Sequence, residues 1–129
     1  MSLFVPVSTK ELYKKMLTWA NLRGTISYDD KSEEMTWIIA DDLRLKISIF
    51  GFEGMIYVFD SAQGRTPALT HWHPDADEIY EEMLNINEGK IKFAYINMLF
   101  GKQIVYIGIP TAKKTYHFRL IHYLGEKNT

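Results

Sequence analysis

The sequence predicts an α+β fold, a mostly antiparallel sheet of about 6–7 strands with two helices, about 9–22 and 75–88, packed on it. Three observations predict it. Two segments carry apolar residues at helical spacing. The stretches between and after them change to a period of two. The turns joining those stretches are short, which suits hairpins and leaves no room for parallel crossovers. At 129 residues the chain is sized for one domain, 1–129, and no repeat or linker divides it.

The first helix opens on Ser8-Thr9-Lys10-Glu11, a capping box, with Val7 and Leu12 at the two staple positions. Leu12, Met16, Trp19 and Ala20 then recur at helical spacing, and Gly24 stands where a helix terminator is expected. Residues 25–28 read as a short strand, followed by a polar turn. Residues 35–39 are β-branched and aromatic. Residues 43–49 alternate cleanly, with Leu and Ile on one side and Arg, Lys and Ser on the other, the pattern of a strand with one wet face. Gly51-Phe52-Glu53-Gly54 is a turn, and 55–59 returns as the next strand of a meander. Residues 60–73 have turn chemistry and little periodicity and read as a long loop.

From Pro74 the period returns to 3.6, with Ala76, Ile79, Tyr80, Met83 and Ile86 on one side. Pro74 suits the first helical position, Asp75, Asp77 and Glu78 suit the positive end of the helix dipole, and Gly89 closes the helix. Strands at 90–99 and 103–109 surround a turn, and a last strand is expected at 116–123.

Composition removes several classes. There is no cysteine, so disulfides, thiolate nucleophiles and Cys-ligated metals are excluded. A cysteine-free chain without a basic and apolar leader fits the cytosol. No apolar run reaches the length needed to span a bilayer. The net charge of −1 argues against nucleic acid as a partner. The charge is uneven, however. Residues 1–88 hold 8 Lys/Arg against 15 Asp/Glu, a balance of −7, and residues 89–129 hold 7 against 1, a balance of +6. Neither a Gly-x-Ser-x-Gly elbow nor a phosphate-binding glycine loop is present. Lys113 to Arg119 mixes basic and aromatic residues and reads as a solvated strand edge.

One stretch carries candidate chemistry: His71-Trp72-His73-Pro74-Asp75-Ala76-Asp77-Glu78. In extended backbone, His71 and His73 point to the same side. Two imidazoles with one carboxylate, Glu78 or Asp77, make a sufficient donor set for Mn, Fe, Ni or Zn. At most one of His117 and His122 would join them from the last strand, because they face opposite ways. The plainer reading is a helix start, with His73 as the capping residue and Glu78 and Glu82 on a solvated face.

The same eight residues resemble the first metal-binding motif of the cupins, His-x-His followed by Glu. They are most similar to the germin and oxalate decarboxylase type, with His-Trp-His-Pro followed by Ala-Asp-Glu. The resemblance implies His71, His73 and Glu78 as ligands of manganese or a similar ion, with a third His from a second motif. Beyond those residues the chain departs from the pattern. Glu78 runs on into a helical period, and Pro110 and His117 have the wrong spacing for the second motif. The α+β reading therefore stands ahead of a cupin barrel.

The function expected from the sequence is a small bacterial protein of the immunity or accessory kind, which acts by binding another protein and needs no cofactor. Its surface would be built from Arg65, His71, Trp72, His73, Asp77 and Glu78. Trp72 and Arg65 would serve as anchors, and the carboxylates of 75–82 as a rim that attracts a basic partner. The half-wet sheet leaves room for a homodimer. The alternative is a metal-binding protein or metal-dependent enzyme using His71, His73 and Glu78.

Overall fold

Alternation in the sequence becomes a five-stranded antiparallel meander. A computed structural model describes residues 5–59, 69–98, 101–107 and 121–124, with side chains described over 5–59 and 69–93. In chain order the elements are α1 (Thr9–Met16), β1 (Thr25–Asp29), β2 (Glu34–Ala40), β3 (Leu43–Phe50), β4 (Glu53–Phe59), β5 (Leu69–His73), α2 (Ala76–Asn87), β6 (Lys92–Met98), β7 (Gly101–Ile107) and β8 (Ile121–Leu124). The first sheet has the order β1-β2-β3-β4-β5, and a second, three-stranded sheet has the order β7-β6-β8. Every strand pairing is antiparallel. The class is α+β, as expected, and the strands divide between two sheets.

The core lies on one face of the five-stranded sheet. Along β3 every second residue, Leu43, Leu45, Ile47 and Ile49, is buried, and Trp37 and Ile56 join them from the flanking strands. Leu12 and Met16 of α1, Ile79, Met83 and Ile86 of α2, and Phe93 at the start of β6 close over this face. Each fully buried aliphatic side chain there contributes about 1.5–3 kcal/mol relative to exposure. Trp37 satisfies its buried indole by donating to the Arg23 carbonyl at 2.7 Å. Arg23 in turn donates its backbone N–H to the Asn87 side chain and its guanidinium to the Ile86 carbonyl, at the negative end of α2. These bonds fix the far end of α2 relative to the sheet.

Besides starts of β4 and β7 at Glu53 and Gly101, ahead of the expected 55 and 103, three differences from expectation stand out. The first helix ends at Met16, well short of 22. Beyond it the bonds tighten to three-residue turns, Thr18 N–H to the Lys15 carbonyl and Trp19 N–H to the Met16 carbonyl. The Thr18 hydroxyl also donates to Lys15 at 2.6 Å, a local competitor of helical bonding. Trp19 kept the helical period because it packs on Tyr80, not because the helix continues. Gly24 is therefore not a helix cap. Its φ of 67° lies in a turn where a Cβ would run into the Ile38 carbonyl. The capping box forms in part: Ser8 Oγ accepts from the Glu11 N–H, but the Glu11 carboxylate accepts from Val7 instead of Ser8. Val7 is exposed, so no staple closes over Leu12.

The second difference is β5. Residues 69–73 fall within the stretch read as loop, yet they form a full ladder with β4. Of its three inward positions, Leu69, His71 and His73, two are His, so the hydrophobic period gave little signal. The third is the start of α2. Asp75 is its N-cap residue, without a side-chain cap bond, so Pro74 precedes the helix and His73 belongs to the strand. Helix 75–88 otherwise matches α2 to within one residue at each end. Arg65, the Lys113 to Arg119 stretch and His117 lie outside the described residues. Among the described residues, no helix is long and apolar enough to cross a membrane.

Candidate metal centre

The site is assembled by a strand, a two-residue link and a helix. On β5, His71 lies opposite Ile56 and His73 opposite Gly54, on the buried face of the sheet. The two imidazoles are neighbours, with ring centroids 4.3 Å apart, because a period of two puts both on one side. Only Pro74 and Asp75 separate β5 from α2, so the helix turns back over the strand it has just left. Its first N–H, that of Ala76, donates to the Phe52 carbonyl at 2.8 Å, which anchors the helix start to the β3–β4 hairpin. Glu78 and Glu82, one helical turn apart, then face the two histidines.

Four side chains form a continuous chain of contacts. Glu78 Oε2 lies 3.3 Å from His73 Nδ1. His73 Nε2 lies 2.6 Å from Glu82 Oε2. The other Glu82 oxygen lies 3.5 Å from His71 Nδ1. Glu82 is 5% exposed and His73 8%. A carboxylate buried to that degree is costly unless it is paired, and here both of its oxygens face imidazole nitrogens. The hydrogen bond that His73 Nε2–H donates to Glu82, reinforced by the charges of Glu82 and Glu78, holds the His73 pKa above the ordinary imidazole value. Burial pulls it the other way and is outweighed. One donor atom from each of His71, His73 and Glu82 can be chosen so that all lie within 4.8 Å of one another.

The structure brings a further carboxylate, Glu82, to the residues expected from the sequence. Of the set His71, His73 and Glu78, the structure brings the two histidines together, but Glu82 is the carboxylate that both imidazoles share. Glu78 touches His73 from the outer side. The solvated face expected for Glu82 is in fact packed, because the helix presents it toward β5. Its position held the signal: Glu82 follows Ile79 by three and precedes Met83, inside the apolar stripe of α2. An acid in a buried stripe needs a partner, and the histidines supply one.

The remaining candidates lie elsewhere. Trp72, between the histidines in sequence, points to the opposite face of the sheet, is 52% exposed, and its indole lies 3.3 Å from a Glu53 oxygen. Asp77 is at the exposed first turn of α2, where it accepts from the Glu78 N–H at 3.0 Å. His122 lies on β8 opposite Tyr95. A groove of about 340 Å³ opens beside the buried cluster, lined by His73, Asp77, Glu78, Glu81, Glu82, Asn85 and Ile91.

A scan against protein-family models and searches of the curated proteins and the solved structures return no match to this chain. The cupin-like residues thus sit on a strand-to-helix unit with no family match behind it.

Proposed function

We propose that this chain is a metal-binding protein, with His71, His73 and Glu82 as ligands of one divalent transition-metal ion. The observation that supports it is the burial of Glu82 between two imidazoles. Two nitrogens and a carboxylate oxygen suit Zn, Fe, Mn or Ni, and three protein ligands leave a position for water or substrate. Glu78 takes the supporting role. It faces Nδ1 of His73 while Glu82 faces Nε2, so a metal held through Nε2 leaves Nδ1–H to Glu78, which fixes the ring and its tautomer. A cytosolic location accords with a chain that lacks cysteine.

The test is elemental analysis of tag-free protein after separate incubation with Mn, Fe, Ni and Zn and exhaustive dialysis. Near-stoichiometric retention of one metal is expected in the wild type, with loss in His71→Ala/His73→Ala and in Glu82→Gln. Retention that survives both variants, or no retention at all, overturns the reading.

A second reading, binding of another protein, is favoured by a different observation. Phe50, Phe52 and Trp72 are 47, 90 and 52% exposed; Phe50 and Phe52 lie at the β3–β4 hairpin, and the Trp72 indole donates to Glu53 of the same hairpin. Exposed aromatics grouped at a sheet end are the residue types that anchor interfaces. This reading predicts that Trp72→Ala/Phe52→Ala abolishes a partner complex, or a homodimer, while leaving metal content unchanged.

A further inference from the structure

The five-stranded sheet has two edges, and they differ. At one, β5 runs into Pro74 and α2, and both of its histidines face a carboxylate of that helix. At the other, β1 has β2 as its one strand neighbour among the described residues. Edge strands are usually guarded by a Pro, a bulge or a Lys. β1, Thr25-Ile26-Ser27-Tyr28-Asp29, has no Pro or Lys, its ladder with β2 is unbroken, and its single charge is on its last residue. Thr25, Ser27 and Asp29 are exposed. Ile26 and Tyr28, on the core face, are half-buried, whereas Trp37 and Met35 opposite them are 0% exposed. Tyr13 of α1, itself half-buried, stacks on Tyr28 with ring centroids 5.8 Å apart. The apolar face of the sheet is therefore left open along this edge.

We infer that β1 is a dimerisation edge, which pairs antiparallel with β1 of a second copy about a two-fold axis at Ser27. The strand fits itself in that register. Ile26 faces the partner's Tyr28, a β-branched residue against an aromatic on the core face, and Thr25 faces the partner's Asp29 on the wet face. The two Asp29 carboxylates then lie at opposite ends of the paired strands, about 13 Å apart along them. Centring the axis on Ile26 instead sets Tyr28 against the partner's Gly24. Centring it on Tyr28 brings the two Asp29 residues within two positions of each other. A second copy is the occupant because its Ile26 and Tyr28 cover the same residues of the first and complete the open apolar row. Two sheets of five strands become one of ten, with both cores on the same side. This edge lies across the sheet from Trp72 on β5, so the dimer is distinct from the aromatic cluster at the β3–β4 hairpin.

The chain has no cysteine, so single introduced cysteines report the register. Sedimentation velocity of the wild type over a range of concentration should show a reversible monomer–dimer equilibrium. Ser27→Lys, which sets like charges against each other at the axis, should leave a monomer with the wild-type far-UV spectrum. Trp72→Ala/Phe52→Ala should leave the dimer as in wild type. Under mild oxidation Ser27→Cys should cross-link, since directly opposed residues have Cα atoms about 4.5–5.5 Å apart. Thr25→Cys and Asp29→Cys should each cross-link poorly alone and readily when mixed. A wild type that stays monomeric up to about 1 mM overturns the inference. So does a dimer that survives Ser27→Lys or is lost in Trp72→Ala/Phe52→Ala, and so does Thr25→Cys cross-linking alone as fast as Ser27→Cys. The cysteine pairs decide the register even where Ser27→Lys alters the spectrum.

Discussion

Substituting Gly54 by alanine should destabilise the protein, and the cause should be traceable to one methyl group. Gly54 lies in β4 directly opposite His73, on the face covered by α2. A Cβ there would overlap Ile79 Cδ1, with the Ser48 carbonyl oxygen 3.0 Å and Ile49 Cγ1 3.4 Å away. Ile79 is fully buried, so its side chain has no open space to move into. Overpacking of this kind costs about 1–3 kcal/mol, and the reduced freedom of the unfolded chain returns about 0.4–1 kcal/mol. The net loss is about 1–2 kcal/mol. For 129 residues the unfolding entropy is about 0.27 kcal/mol/K, so Tm should fall by about 4–7 °C. Ile79→Val removes the offending Cδ1. Alone it should cost about 0.5–1.5 kcal/mol, but in the Gly54→Ala background it should cost almost nothing or restore stability. Denaturant unfolding of the four proteins closes the cycle, with an expected coupling of about 1 kcal/mol. Additive effects would refute the contact. Because Ile79 lies between Glu78 and Glu82 on α2, Gly54→Ala should also weaken metal retention, and Ile79→Val should restore it.

Other consequences are separable. Glu82→Gln should remove metal binding, whereas Glu78→Gln should weaken it by about 10–100-fold, the effect expected of a carboxylate that orients a ligand; isothermal titration distinguishes them. The raised pKa of His73 sets a pH dependence in metal-free protein. The charged His73–Glu82 pair contributes its full stability below the ordinary imidazole value of about 6.5, and that contribution disappears as pH rises through the higher folded value. Urea unfolding from pH 5 to 9 should show this decline, and Glu82→Gln should flatten it. Metal affinity must run in the opposite direction, rising with pH as His73 gives up the proton that competes with the ion. Trp37→Phe should cost about 2–3 kcal/mol, since it leaves the Arg23 carbonyl without its 2.7 Å donor and opens space in a fully buried site. Trp72→Ala, at an exposed position, should change unfolding free energy by less than about 0.5 kcal/mol.

What was legible follows from what each residue has to satisfy. The meander of β2 to β4 was open to reading because Leu43, Leu45, Ile47 and Ile49 alternate with Arg44, Lys46 and Ser48, and the burial of β3 follows that alternation residue by residue. The span of α2 was legible from its apolar stripe, from Ala76 to Ile86. Two elements were hidden for physical reasons. Trp19 extends the helical period of α1 past its end because a large aromatic side chain reaches the core from a turn as readily as from a helix. β5 shows little apolar period because two of its three inward positions are filled by histidines. These face a carboxylate brought by the following helix, so polar groups on two elements satisfy each other where a strand and a helix usually bury hydrocarbon. The same exchange obscured Glu82. Read by residue type, an acid four positions after Glu78 belongs on a wet face. Read by helical phase, it belongs with Ile79, Met83 and Ile86, and burial of its charge requires a cationic or metal partner within reach. Helical phase and residue type give opposite placements for Glu82, and that conflict, together with His71 and His73 two residues apart just before the helix, is the sequence-level mark of the buried His–Glu cluster.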